Sequence, residues 1–369
     1  MTPLSTLALP LADPIAQPAP TWLLWTLLLV TFFLHVLPMN VVLGGSIIAA
    51  VARWRGRHGH APSAALAGTL ARALPTAVAA TVTLGVAALL FAQVLYGRAL
   101  FASSVLMAAY WLAVVPLLVL AYYGTYVVSY KGERSGPWPL VSSVVALLFM
   151  TIAFIYANNM SLAQRPDTLA AAYQADARGL HLALGDPALL PRYLHLVLSA
   201  VAVAGLFVAL LGVRRRQREP RQAEWLMRHG GLWCGAATAL NLVAGSWWLL
   251  ALPRPTIVHF MSHVPAVALF AGVASGMVVA GLALAASFAK DPLSLVRATA
   301  ATLVLTLLLM VVSRDQLRVI SLGDAGFTRN DWVEPQWPLT LLFLVLFTAA
   351  LGTMSWMVRA LYRTARPTD

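Results

Sequence analysis

Residues 22–52 read WLLWTLLLVTFFLHVLPMNVVLGGSIIAAVA, an apolar run whose only titratable side chain is His35. The run is longer than the roughly 20 residues that a helix needs to cross a bilayer. An imidazole in hydrocarbon is costly unless it has a partner. The stretch therefore predicts a transmembrane helix that carries a functional histidine.

Similar apolar runs recur along the chain, which is 60% hydrophobic and 10% charged. This composition predicts an all-α fold, a polytopic membrane helical bundle of about nine transmembrane helices. The predicted spans are residues 22–52, 73–97, 103–130, 138–160, 189–213, 229–252, 264–289, 295–313 and 337–360. The predicted parts are a tail (1–21), a four-helix bundle (22–160), an interfacial segment (161–188), a five-helix bundle (189–361) and a second tail (362–369).

Basic residues are distributed unevenly about these spans. Of the 25 Lys and Arg residues, 17 fall in alternate loops and the C-terminal tail. Cytoplasmic loops retain Lys and Arg, so the N-terminus is predicted outside and the C-terminus inside, in a bacterial inner membrane. The net charge of +12 follows from this asymmetry. The basic run 214–216 adjoins a span, and we therefore expect a lipid bilayer and no nucleic-acid partner.

Acidic residues and cysteine are scarce. No acidic residue lies between Asp13 and Glu133, and none lies within a predicted span. Proton-coupled transporters usually place a carboxylate in the membrane, so that class is disfavoured. The single cysteine, Cys234, excludes an internal disulfide and a c-type haem attachment. Any c-type cytochrome partner is therefore expected to be a separate chain.

Three further histidines lie near the starts of later apolar runs, and several imidazoles near one depth indicate bound haem b. His259 and His263 share one helical face by their i, i+4 spacing. Axial ligands approach from opposite sides, so one of the two would ligate and the other would contact a propionate, a quinone or another haem. We predict that His195 and His263 ligate one haem. His35 is expected to lie deeper in the membrane than the other histidines and to ligate a separate haem. We expect about one to three haem b groups in the whole chain.

Haem propionates are anionic and need basic donors. The outside basic residues nearest the expected haem positions are Arg192, Arg254, Arg314 and Arg318. A haem iron held between two axial ligands has no open position, so it transfers electrons and does not activate a ligand. The histidine pattern therefore favours electron transfer.

Three segments occur in order in the first part of the chain: FLHVLPMNVVLGG (33–45), IYANNMSLAQRP (155–166) and PRYLHL (191–196). Together they resemble subunit I of the cytochrome bd quinol oxidases over about residues 20–215. The resemblance implies that His35 serves a haem near the outer surface. It also implies that His195 is one axial ligand of the low-spin haem.

The later part of the chain resembles that family more loosely. The family has a methionine ligand at the outer start of its seventh helix, and FMSH (260–263) occupies this region. The resemblance thus assigns the second low-spin ligand to His263 or to Met261. The segment WVEPQWP (332–338) is similar to one whose glutamate serves a high-spin haem, which implies that role for Glu334.

Two departures from the family change the expected function. The span 103–130 lacks the family's carboxylates for proton delivery, and residues 253–262 replace its long quinol-binding loop. We therefore expect a haem b electron-transfer subunit of a respiratory complex that does not reduce dioxygen by itself. It would work with other membrane subunits, the quinone/quinol pool and an extracytoplasmic c-type cytochrome or other redox protein. The alternative is a haem-free membrane anchor or quinone-binding subunit.

Overall fold

The computed structural model describes residues 16–132, 136–262, 264–324 and 332–364, and the side chains of these residues except 264, 354 and 357–364. Apart from one bridge between Gln17 and Val333, the regular structure of these residues is helical. The helices are α1 (Thr21–Arg57), α2 (Ala61–Leu106), α3 (Ala108–Lys131), α4 (Trp138–Ala163), α5 (Pro166–Ala175), α6 (Leu189–Arg215), α7 (Pro220–Leu250), α8 (Arg254–Met261), α9 (Val264–Phe288), α10 (Leu293–Asp324) and α11 (Trp337–Thr364).

The expected all-α membrane bundle is confirmed, and each predicted span overlaps a helix. Among the described residues, seven helices are long and apolar enough to cross a bilayer. The helices α7 and α8 pass that test only as a pair, and they meet at a bend of 115°. The apolar part of α11, Trp337–Thr353, is shorter. Length and composition therefore support seven or eight spans, where the sequence predicted about nine.

Helix α2 differs most from its prediction. It runs for 46 residues and joins the predicted span 73–97 to the beginning of the next one. Its backbone is non-helical only at Tyr96, where the helix is kinked. No proline follows Pro75 in this stretch, so the strongest helix-stop signal is missing. The predicted interruption at residues 98–102 thus lies between the kink at Tyr96 and the end of the helix at Leu106.

Two helical hairpins form the centre of the molecule. The pairs α1–α2 and α6–α7 have the most extensive contacts, and α1 also packs on α6. Helices α3 and α4 flank the first hairpin, and α9 and α10 flank the second. A Cβ at Gly44 would overlap the backbone of Ala200, and one at Gly205 would lie 2.5 Å from the Cys234 nitrogen. Small residues thus let these helices approach closely, as is typical of membrane bundles.

The basic turns meet at one end of the bundle. These are the turns that follow α1, α3, α6 and α9. Three hydrogen bonds link them: Arg53 to the Gly132 carbonyl, Arg215 to the Thr69 hydroxyl at 3.0 Å, and Arg216 to the Asp291 carboxylate at 3.1 Å. The charge asymmetry of the sequence is therefore also an asymmetry between the two ends of the structure.

The predicted interfacial segment 161–188 contains one short helix. The spacing of Leu169, Tyr173, Leu180 and Leu184 predicts an interfacial helix. Helix α5 ends at Ala175, however, and Leu180 and Leu184 lie in an irregular stretch. Hydrogen bonds hold that stretch: the His181 N–H donates to the Leu106 carbonyl at 3.0 Å, and the Ala183 N–H donates to the side-chain Oδ1 of Asn158 at 3.0 Å. The hydrophobic spacing correctly indicated a helix here but overestimated its length.

Candidate functional site

His35 lies on α1 and faces α2. Its Nδ1 is 3.0 Å from the carbonyl oxygen of Thr81. One turn beyond that carbonyl is Gly85, where a Cβ would approach His35 Cε1 to 2.7 Å. The imidazole therefore occupies space that exists only because residue 85 has no side chain.

His195 lies on α6 and faces α7 in a closely similar way. Its Nδ1 is 3.4 Å from the carbonyl oxygen of Asn241, and a Cβ at Gly245 would lie 2.9 Å from the same nitrogen. In both sites the accepting carbonyl follows the histidine by 46 residues. In both sites the glycine follows the carbonyl residue by four positions. The two hairpins thus hold two histidines by the same device.

The hydrogen bonds indicate which ring nitrogen is free. A carbonyl oxygen only accepts, so each neutral imidazole would carry its proton on Nδ1. The lone pair then lies on Nε2, and no described residue has a hydrogen bond to Nε2 of His35 or His195. An imidazole anchored through Nδ1–H and free at Nε2 has the usual arrangement of a metal-ligating histidine.

Gly44 on α1 lies beside Ala200 on α6, so these two residues have the same height along the bundle. The heights of the two histidines can be compared from this level. At about 1.5 Å per residue, His35 lies roughly 14 Å from that level and His195 roughly 8 Å. Both lie toward the end where the two helices begin. The expectation that His35 is the deeper of the two is therefore wrong, and the imidazoles differ by only about 6 Å in depth.

Three of the four predicted propionate donors form a cluster near these histidines. Arg192 is only 7% exposed, its guanidinium lies 5.1 Å from the Trp248 ring, and its Nε and Nη1 atoms have no partner among the described residues. Arg314 lies 4.2 Å above the Phe32 ring. The charges of Arg192, Arg314 and Arg318 act on one another. Arg254, in contrast, is exposed at the start of α8.

A buried carboxylate, which the sequence analysis missed, lies in this cluster. Helix α10 continues to Asp324, whereas the predicted span ended at residue 313. Asp315 is 3% exposed and accepts hydrogen bonds from Trp25 Nε1 at 2.5 Å and Arg318 Nη1 at 3.0 Å. Helix α10, which is long and apolar enough to cross a bilayer, therefore contains an acid beyond the end of the predicted span. The i, i+3 spacing of Asp315 and Arg318 was the available signal.

The remaining predicted ligands lie on or beside α8. His259 is exposed, and its Nδ1 pairs with Asp324 Oδ1 at 2.6 Å. Met261 is also exposed, and His263 lies outside the described residues. Glu334 is exposed, and its backbone N–H donates to the Gln17 carbonyl. The second axial ligand for His195 thus stays a prediction.

Within the described residues, no three His, Cys, Asp or Glu side chains converge on a point where they could hold a metal ion together. Each of the two partly buried imidazoles would therefore contribute a single bond to a metal. This matches the demands of an iron whose other ligands come from a porphyrin, because such an iron takes only axial ligands from the protein.

No protein-family model matches the chain, and no curated protein matches its sequence. Among solved structures, a chain of the bd oxidase from Geobacillus thermodenitrificans has a similar fold, with a TM-score of 0.73 and 11% sequence identity. The match covers 95% of this chain and 100% of that chain. The protein is thus a multi-pass helical membrane protein. Its fold is similar to that of a bd oxidase chain.

Proposed function

We propose that this chain is a haem b electron-transfer subunit of a respiratory complex in a bacterial inner membrane. It would pass electrons between the quinone pool and an extracytoplasmic redox partner, such as a c-type cytochrome. The fold likeness supports a place in a respiratory complex. The haem and its ligands are argued from the residues of this chain.

The matched settings of His35 and His195 carry the proposal. Each Nδ1 lies at a backbone carbonyl of the neighbouring helix, and each Nε2 is free among the described residues. A ring held through Nδ1 with Nε2 left open to a ligand is the arrangement of histidines at metal centres. Two rings that each leave the same nitrogen unpaired are better explained as ligands.

The arginine cluster fits the two carboxylates of a haem. Three guanidinium groups of this cluster face two carboxylates among the described residues: Asp315 accepts a hydrogen bond from Arg318, and the charge of Asp186 acts on Arg192. A buried charge without a counterion is costly. Propionates would neutralise Arg192 and Arg314, and they would accept hydrogen bonds from the unpartnered Nε and Nη1 of Arg192.

When bound, haem b supplies one-electron oxidation and reduction at its iron. The chain would present Nε2 of His35 and His195 as ligands and would fix each ring through Nδ1. The glycines opposite the rings would keep them in place without blocking them. His263, or Met261, is proposed as the second ligand on the His195 side, and His259 as a neighbour of that haem.

We do not expect this chain to reduce dioxygen by itself. That reaction consumes protons at the haem and needs groups that deliver them. Residues 14–132 contain no acid. The buried carboxylate of Asp315 is already engaged by Trp25 and Arg318. We therefore expect electrons to leave to a partner with its own redox centre.

The visible spectrum of the purified chain tests the proposal. Reduced wild-type protein should show a haem b alpha band. His195→Ala and His263→Ala should remove the same spectral component, and His35→Ala should remove a different one. His58→Ala is the matched control, because His58 is exposed in the basic turn after α1. A wild-type chain that folds without an alpha band would instead be the haem-free anchor.

A further inference from the structure

A second group of aromatic rings lies at the basic end of the bundle, far from the arginine cluster. Trp225, His229 and Trp233 recur at four-residue intervals on α7, so they share one helical face. The Trp225 and His229 rings are stacked, with centroids 4.5 Å apart and planes 17° apart. His60, the N-cap of α2, adds a fourth ring 5.7 Å from Trp225.

The hydrogen bonds of this group leave one donor free. Trp233 Nε1 can only donate, and it lies 3.1 Å from His229 Nε2. Neutral His229 must therefore carry its proton on Nδ1. No described residue accepts a hydrogen bond from that nitrogen. The positive charge of Arg55, at the end of α1, also interacts electrostatically with His229.

An exposed apolar strip continues from His229 along α7. Leu232, Leu240 and Val243 follow at offsets of three, eleven and fourteen residues, so they lie within about 60° of His229 on the helix surface. Leu240 is 59% exposed and Val243 is 68% exposed. In a bilayer this strip would face lipid chains and would run from the basic end toward the middle of the membrane.

We propose that His229 and Trp225 form a binding site for the head group of an isoprenoid quinone. The His229 Nδ1–H would donate to a quinone carbonyl, the stacked indole of Trp225 would hold the imidazole in place, and the isoprenoid tail would lie along Leu232, Leu240 and Val243. A head group that needs a positioned donor and an apolar path for its tail matches this combination.

The site would account for the quinone partner of the proposed function, and to that extent it rests on that proposal. Binding itself does not require haem. The resembling family's quinol loop is replaced here by residues 253–262, at the opposite end of α7 from His229. The new site therefore lies at the end with the basic turns.

Equilibrium binding of decylubiquinone and of menadione to the full-length chain in nanodiscs tests this site. His229→Phe retains a ring on Trp225 but removes the donor, and it should weaken binding of at least one quinone by about fivefold or more. His229→Gln restores a donor and should recover most of the affinity. Trp225→Ala removes the ring against which His229 stacks, so the donor is no longer held in place and binding should also weaken. His58→Ala, an exposed histidine of the same turn region, should bind as wild type.

Wild-type affinity in both His229→Phe and Trp225→Ala, or no quinone binding by the wild-type chain, would overturn the proposal. If a variant does not fold, the wild-type chain is photolabelled with an azidoquinone instead of measuring binding to that variant. Label on α7 near residue 229 is expected, and label confined to other helices would contradict the site. The haem spectrum of the same samples separates the two proposals, because loss of quinone binding with intact haem refutes only the quinone site.

Discussion

Gly85 and Gly245 define the candidate haem sites as much as the histidines do. Each lies one turn beyond the carbonyl that accepts from an imidazole, and each would contact the ring if it had a Cβ. In the sequence they are two among 24 glycines, and nothing in their neighbourhood distinguishes them. Only the pairing of α1 with α2, and of α6 with α7, assigns them to histidines.

Gly85→Ala and Gly245→Ala should each displace the facing imidazole. A Cβ at 2.7 Å or 2.9 Å from ring atoms forces a shift, and overpacking of this kind costs about 1–3 kcal/mol. We expect a lower unfolding temperature and, in each variant, a reduced content of the haem on the facing histidine. Thermal unfolding and haem quantification measure the two effects.

Gly281→Ala is the matched control for these substitutions. It lies within α9, and a Cβ there would meet no atom within 4 Å. Because alanine is the better helix former by about 1 kcal/mol, this variant should be as stable as the wild type or slightly more stable. Equal behaviour of all three alanine variants would show that the imidazoles are not held by the glycines.

At the scale of the elements, the crossing of α1 and α6 fixes the relative depth of the two histidines. Gly44 is the point of closest approach, because its Cα faces the backbone of Ala200. The neighbouring Gly45 faces the other way, and its nearest side-chain atom would be Leu74 Cδ2 at 3.6 Å. Adjacent glycines of the same motif thus have different roles.

Gly44→Ala should force α1 and α6 apart, whereas Gly45→Ala should be tolerated. The alanine methyl at residue 44 would overlap a helix backbone, which cannot rotate out of the way as a side chain can. We expect a loss of about 1–3 kcal/mol and lower accumulation in the membrane for Gly44→Ala alone. Thermal unfolding in detergent compares the pair directly, and equal stabilities would contradict the assigned crossing.

The length of α10 shows how an element can exceed its apolar pattern. Polar residues follow Val312 in sequence and suggested a span end at residue 313. The helix nevertheless continues, because its buried face still includes Val311, Asp315 and Leu317. Asp315 is tolerated there since Trp25 and Arg318 satisfy its carboxylate.

At the scale of the whole molecule, the basic turns at one end predict the orientation in the membrane. Cysteine accessibility in cells tests it. Native Cys234 is buried, so the background should be silent. His58→Cys, in a basic turn, should react with an impermeant thiol reagent only after the membrane is opened. Tyr173→Cys, on α5, should react in intact cells. The reverse pattern would contradict an N-terminus outside.

The sequence by itself determined that the protein is a helical membrane protein and that its basic turns lie at one end of the bundle. Apolar runs of more than about 20 residues can satisfy their backbone in a bilayer only as helices, so the all-α membrane fold followed from composition. Basic residues beside alternate spans likewise indicated which turns share an end. The prediction of functional roles for His35 and His195 also came from the sequence, because an imidazole in an apolar run needs a partner.

Only the tertiary structure decided which residues meet. The carbonyls of Thr81 and Asn241 and the arginine cluster around Asp315 come from helices far apart in sequence. Periodicity along one helix gives the direction of a side chain but not the neighbour or the depth that it reaches. Both are set by the close contacts that small residues permit between helices, which is why the relative depth of His35 and the buried Asp315 could not be predicted.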